Sequence, residues 1–179
     1  MTIPNLITLF RLVLVPLVVW ALVVGEHSLA FVAFLLAGVS DGVDGYIARR
    51  FDQRSELGAY LDPVADKALL VATFIVLGIL AELPLWLVVL VVSRDALILG
   101  AVLLASLMDN PIEIRPLFVS KVNTTVQIAL VVWTLGELAW GTRVPAIHLA
   151  LLVGTTALTV LSGIAYLRAW TAHMTGEDA

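Results

Sequence analysis

The chain has 179 residues, of which 61% are hydrophobic and only 13% charged. A soluble domain carries roughly 25% charged residues, and 10 basic and 14 acidic side chains cannot cover a water-facing surface of this size. The mean hydropathy of +1.05 therefore predicts an integral membrane protein. The absence of cysteine excludes disulfide frameworks, thiolate catalysis and Cys-ligated metals. A net charge of -4 with no basic run argues against nucleic-acid binding.

A spanning helix needs about 20 apolar residues, so the chain holds about six spans. The expected class is all-α: a polytopic bundle forming one transmembrane domain over residues 1–179. The opening Met1-Thr2-Ile3-Pro4-Asn5 has no basic n-region and no small-residue cleavage site, and reads as a retained first helix. The first span is expected from Asn5 to Val24, with Arg11 inside it. The second runs from Leu29 to Ala48 and ends in Arg49-Arg50. A charged stretch, Phe51 to Glu56, precedes a third span from Leu57 to Leu80. The fourth follows Glu82-Leu83-Pro84 and covers Leu85 to Leu107. The longest polar break, Met108 to Pro116, leads to a fifth span from Leu117 to Leu138. A turn at Trp140 to Arg143 precedes the sixth, Val144 to Leu167. The tail from Arg168 to Ala179 reads as polar and partly disordered.

Six spans put both termini on one side. Arg49, Arg50, Arg54, Arg115, Lys121 and Arg168 fall on that side, and only Arg143 on the other. The positive-inside rule then makes the termini cytoplasmic.

The informative residues are acids in apolar segments: Asp41 and Asp44 in the second, Asp62 and Asp66 in the third, Asp95 in the fourth. A charge at a membrane-helix centre costs about 2.5–3.5 kcal/mol on insertion scales. Such residues are functional candidates by default. Asp41/Asp44 and Asp62/Asp66 are spaced i,i+3 and i,i+4, so each pair shares a helix face. Gly45 and Ala48 extend the face of Asp41, and small residues there admit a neighbouring helix or ligand. Four carboxylates converging in low dielectric require cations. An all-oxygen donor set suits Mg²⁺ or Mn²⁺, with Ca²⁺ as a competitor. Two such ions balance four carboxylates, an arrangement known for displacement at phosphorus. Two alternatives explain the acids less well. Ion pairing with Arg11, Lys67, Arg94 and Lys121 does not require two ordered pairs. A cation or proton pathway would spread polar groups over the full depth of the bundle, whereas these cluster at its cytoplasmic end.

The pattern Asp41, Asp44-Gly45, Ala48-Arg49, Gly58, Asp62, Asp66 resembles the signature D-x2-D-G-x2-A-R-x8-G-x3-D-x3-D of CDP-alcohol phosphotransferases, with every gap matching. The resemblance implies a six-span membrane enzyme that uses two divalent metals. Asp41, Asp44, Asp62 and Asp66 would hold the metals, and Asp66 would also be the general base for the acceptor hydroxyl. Asp44, Gly45, Ala48 and Gly58 would accommodate the cytidine diphosphate of the donor. Arg49 would pair with its phosphates, which its planar fork suits. The implied reaction is phosphatidyl transfer from CDP-diacylglycerol to an alcohol, releasing CMP. A homodimer in the lipid bilayer is also implied. A bacterial inner membrane is the expected location.

Within that family, Ile3 to Arg11 resembles the start of two kinds of member: the CMP-forming cardiolipin synthases, which use phosphatidylglycerol, and the phosphatidylglycerophosphate synthases, which use glycerol 3-phosphate. Ser93-Arg94-Asp95 and Ser120-Lys121-Val122-Asn123-Thr124 look more like the former. Asn123 stands where the latter tend to carry a second Lys. That cation would help to bind a dianionic soluble phosphate, so phosphatidylglycerol is the favoured acceptor. Arg94, Lys121 and Arg115 are candidate acceptor ligands, with Asp95 orienting Arg94. The alternative is a structural Arg94–Asp95 pair beside a snorkelling Lys121. Asn5, Thr8 and Arg11 either line the nucleotide site or serve the first helix. Lys67 is a candidate counter-ion for Asp66. His27, His148 and His173 lie away from the acids. Trp86, Trp140 and Trp170 read as interfacial anchors. Gly38, Gly154 and Gly163 read as points of close helix packing.

Overall fold

The computed structural model describes the backbone of residues 3–51, 56–107 and 118–175, and the side chains of 9–40, 67–100, 118–168 and 170–171. Six helices follow in order: α1 (Ile3–Val23), α2 (His27–Phe51), α3 (Glu56–Ile79), α4 (Leu85–Leu107), α5 (Phe118–Trp140) and α6 (Pro145–Thr175). There is no strand among the described residues. Each expected apolar segment is a helix, and α4 has the expected bounds. The sixth span is expected to end at Leu167, and α6 continues to Thr175; residues 176–179 of the expected tail lie outside the described residues. Ala169, Ala172 and Met174 favour helix, and neither Gly nor Pro intervenes before Gly176.

Two helix ends share one hydrogen-bond pattern. After α1, the Gly25 N–H donates to the Leu22 carbonyl at 3.2 Å and the Glu26 N–H to the Ala21 carbonyl at 2.8 Å. After α3, the Ala81 N–H donates to Gly78 at 3.1 Å and the Glu82 N–H to Leu77 at 2.9 Å. Both are Schellman ends, which need one left-handed residue. Gly25 supplies it at φ 83° without a Cβ clash, whereas Ala81 adopts φ 59° with one. Pro84 follows, and the Leu87 N–H donates to its carbonyl at 3.0 Å as α4 begins.

The helices group into two compact units. The first contains residues 1–83 and 131–144, and the second 84–130 and 145–179. In the first, α1 packs against both α2 and α3. Its buried stripe is Leu14, Val18, Ala21 and Leu22, at helical spacing. It meets Ala30, Ala33, Phe34 and Ala37 of α2 and Leu70, Thr73, Phe74 and Leu77 of α3, all buried. The alanines on α2 let the backbones approach closely. The outward faces are equally apolar: Val13, Val39 and Ile79 are 62%, 63% and 72% exposed. Exposed apolar surface of this extent suits association with a membrane. Among the described residues, α5 and the Pro145–Arg168 part of α6 are long and apolar enough to cross a membrane.

At the end of α5, Glu137 is buried and accepts from Trp133 Nε1 at 3.0 Å and from the Val144 N–H at 2.8 Å. It thereby holds the turn that leads into α6. Arg143 pairs with Glu82 at 2.5 Å, joining this turn to the one after α3. Trp140 is 65% exposed, consistent with an anchor, and its ring meets Phe31 edge-on at 4.8 Å. The glycine expectations need correcting. Gly38 is exposed, with open space where a Cβ would sit. Gly154 and Gly163 would make only ordinary contacts, with Val126 at 3.8 Å and Arg94 at 4.0 Å. Among the glycines whose surroundings are described, the tight position is Gly136, where a Cβ would come within 3.1 Å of Trp140.

Candidate active site

The structure assigns both halves of the aspartate signature to one unit. Asp41, Asp44, Gly45, Ala48 and Arg49 lie on α2, and Gly58, Asp62 and Asp66 on α3. These two helices contact one another, and α1 packs against both. The side chains of these eight residues lie outside the described set, as does all of Arg115. Their helical register still puts each pair on one face. A donor set of these four carboxylates, with no sulfur or imidazole, would fit a hard divalent cation such as Mg²⁺ or Mn²⁺. Among the described residues there is no group of three or more His, Cys, Asp or Glu.

Arg11 stands on α1, the helix that touches both acid-bearing helices, and is 1% exposed. An arginine enclosed in an apolar bundle is costly unless it serves neighbouring anions. Lys67, next to Asp66, is half-buried in the middle of α3. The side chains of Asn5 and Thr8 are not among those described.

The second unit holds the other candidates. Arg94 and Asp95 are buried on α4, in line with Leu87 and Val91. Arg94 Nη1 donates to Asp95 Oδ1 at 2.7 Å. Its Nη2 donates to Ser120 Oγ at 2.6 Å and to Ser162 Oγ, and its Nε to Ser162 Oγ at 3.2 Å. The Tyr166 ring lies 5.5 Å from the guanidinium carbon, within cation–π range. All three nitrogens are therefore engaged within the chain, across α4, α5 and α6. This geometry ties Arg94 to Ser120, the neighbour of Lys121. Lys121 itself is exposed in the first turns of α5. Asn123 faces inward instead, fully buried, and accepts from Thr159 at 3.0 Å.

Sequence reasoning passed over Gln127, Thr155, Thr159 and Ser162, all buried in this unit. A signal was present. Thr155, Thr159 and Ser162 repeat at i, i+4 and i+7, a polar stripe on an otherwise apolar helix.

Comparison with known proteins decides the family. Residues 1–171 match the family model described as CDP-alcohol phosphatidyltransferase. The chain belongs to the CDP-alcohol phosphatidyltransferase family. A probable cardiolipin synthase (CMP-forming) of Drosophila melanogaster is 38% identical over 90% of this chain and 56% of its own length. The human cardiolipin synthase (CMP-forming) is 33% identical over 88% of this chain and 58% of its own. A probable phosphatidylglycerophosphate synthase of Mycobacterium tuberculosis is 32% identical over 91% of this chain and 78% of its own. The chain thus spans a little over half the length of the first two relatives. The matched region of this phosphatidyltransferase-family chain includes every residue of the aspartate signature.

Proposed function

We propose that the chain transfers a phosphatidyl group from CDP-diacylglycerol to phosphatidylglycerol, giving cardiolipin and CMP. The observation that carries this reading is the family match across the two aspartate pairs of α2 and α3. The cardiolipin-synthase relatives and the Ser93-Arg94-Asp95 and Ser120 to Thr124 segments favour phosphatidylglycerol as acceptor.

In the proposed reaction an acceptor hydroxyl oxygen attacks the phosphorus that carries the diacylglycerol. The new P–O bond forms as the bond to CMP breaks. Asp66 takes the hydroxyl proton, and CMP leaves with the bonding electrons. Asp41, Asp44, Asp62 and Asp66 would hold two divalent ions, which supply charge neutralisation for the diphosphate and the departing CMP. Arg49 pairs with the donor phosphates, while Gly45, Ala48 and Gly58 leave room for the nucleotide. Lys121 and Arg115 meet the acceptor phosphate, with Arg94 positioning the start of α5. We place all six helices across the membrane as one domain, with the site and both termini at the cytoplasmic face. The remaining parts of the reading are a homodimer and a bacterial inner membrane.

Phosphatidylglycerophosphate synthesis from glycerol 3-phosphate is the second reading. It is favoured by the 32% identity to the mycobacterial relative, of which this chain covers 78%. Purified protein given CDP-diacylglycerol, Mg²⁺ or Mn²⁺ and each acceptor in turn separates the two. Cardiolipin and CMP are expected with phosphatidylglycerol. Product with glycerol 3-phosphate alone would overturn the assignment. Movement of an ion across sealed vesicles without CDP-diacylglycerol, with no CMP release, would instead point to a transporter.

A further inference from the structure

Below the Arg94 cluster, α5 and α6 carry a second buried polar set. Asn123, Gln127 and Thr155 are each 0% exposed, and Thr159 is 1% exposed. The Thr159 hydroxyl donates to Asn123 Oδ1 at 3.0 Å and accepts from Gln127 Nε2 at 3.4 Å. This leaves Asn123 Nδ2 and Gln127 Oε1 buried with no hydrogen-bond partner in the chain. Turning both amides over does not change the balance. Thr159 has one proton, so one amide donor and one amide carbonyl remain open in either orientation.

Thr155 adds a third open group. Threonines in helices usually have a fallback, donation to the carbonyl four residues back. Thr73, Thr124, Thr125 and Thr156 all use it, and Thr156 does so at 2.8 Å to Leu152. Thr155 does not: its hydroxyl is buried and has no partner. Its position matches the amides. Gly154, its neighbour, sits against Val126, the neighbour of Gln127. As numbers rise along α5 they fall along α6, so Thr155 stands at the level of Gln127, one turn from Thr159.

Buried polar groups without partners are rare in proteins and are especially costly in lipid, where no bulk water can reach them. Here an open donor, an open acceptor and a hydroxyl sit within two helical turns. That is the complement a small hydroxyl-bearing molecule needs, two to four polar partners around one oxygen. We infer that α5 and α6 enclose a binding site for a hydroxyl group, bridging Asn123, Gln127 and Thr155. The oxygen accepts from Asn123 Nδ2 and from the Thr155 hydroxyl, and donates to Gln127 Oε1. Two sources share this chemistry: an ordered water, or a hydroxyl of a glycerol headgroup.

The sign of a stability change tests the site. Full-length protein in detergent is melted and followed by its intrinsic tryptophan fluorescence. Thr155→Val keeps the shape of the side chain and removes only its hydrogen bonding. If the hydroxyl holds a ligand, the variant melts several degrees lower. If the hydroxyl is truly unpartnered, its removal leaves the melting temperature unchanged or raises it, and the inference fails. Thr155→Ser keeps the hydroxyl and is expected to melt above Thr155→Val; the reverse order also overturns the site. Gln127→Met combined with Thr155→Val is expected to cost little more than the worse single change, because both lose one bridging molecule. Additive losses overturn the bridge. Adding phosphatidylglycerol then identifies the source. A rise in melting temperature that Thr155→Val abolishes assigns a headgroup hydroxyl. No rise, or an equal rise in both proteins, assigns water.

Discussion

In the first unit, α1, α2 and α3 meet through Leu14, Val18, Ala33, Phe34, Phe74 and Leu77. In the second, α4, α5 and α6 meet through Arg94, Asp95, Asn123, Gln127, Thr155, Thr159 and Ser162. Both sets are buried, and both units are wrapped in apolar side chains. In water the first kind of interface would dominate stability through the hydrophobic effect. In lipid the tails are as apolar as leucine, so helices associate through close packing and through hydrogen bonds. The two units show one solution each. The alanine-rich face of α2 allows close contact, whereas the α4–α6 faces are tied by a guanidinium and hydroxyls. The proposed catalytic acids belong to the closely packed unit, where packing can hold the helices without drawing on the acids themselves.

The largest expected effect tests that separation. Asp66→Asn should lower CMP release by at least about 10²-fold, the usual weight of a general base. It should leave the melting temperature of metal-depleted protein unchanged or higher, because one of four mutually repelling carboxylates is removed. Chelation with EDTA should abolish turnover in the same way. A large loss of stability in Asp66→Asn would mean that the acids also hold the first unit together.

The second unit should respond in the opposite sense. Arg94→Ala removes the guanidinium that pairs with buried Asp95 and ties Ser120 and Ser162 together, and should destabilise by about 3–5 kcal/mol. Arg94→Met combined with Asp95→Leu removes both charges and should cost distinctly less. Arg94→Lys should rescue little, since a point charge cannot reach Asp95, Ser120 and Ser162 together as the fork does. Thermal unfolding in detergent measures all three. A neutral Arg94→Ala would break the contrast between the units.

Much of this was legible in the sequence, for identifiable reasons. The bounds of α4 follow from an apolar run that starts after Pro84 and stops at a polar break. The aspartate signature was legible because charge is rare in such a chain, so two ordered pairs stand out. The partners of Arg94 were not. A serine is common on a membrane helix, and nothing local distinguishes Ser120 or Ser162 from the exposed Ser93. Their role is set by which helices meet, and that is a property of the packing. The extra turns of α6 are hidden in the sequence for a different reason: the apolar run stops at Leu167, whereas helix propensity continues to Thr175.

A smaller effect probes the packing itself. Ala33 is buried on α2, while its neighbour Val32 is half exposed on the outward face. Ala33→Leu should destabilise by about 1–3 kcal/mol through overpacking. Val32→Leu, facing lipid, should be close to neutral in the same unfolding assay. Equal effects would mean that the α2 alanines are not a close-contact face.

The smallest prediction concerns a helix end within the first unit. Ala81 and Gly25 occupy the same place in the same hydrogen-bond pattern, at φ 59° and 83°. A left-handed conformation costs a residue with a Cβ roughly 1–2 kcal/mol, and glycine escapes that cost. Ala81→Gly should therefore stabilise, by about 1 kcal/mol at most, because glycine also gains freedom in the unfolded chain. The reciprocal Gly25→Ala should destabilise by a similar amount, since only open space surrounds Gly25 and the backbone strain acts alone. Opposite signs for the two substitutions would show that this unit's stability resides in backbone fit as well as in side-chain packing. The same sign for both would mean that the turn after α3 relaxes away from its left-handed residue.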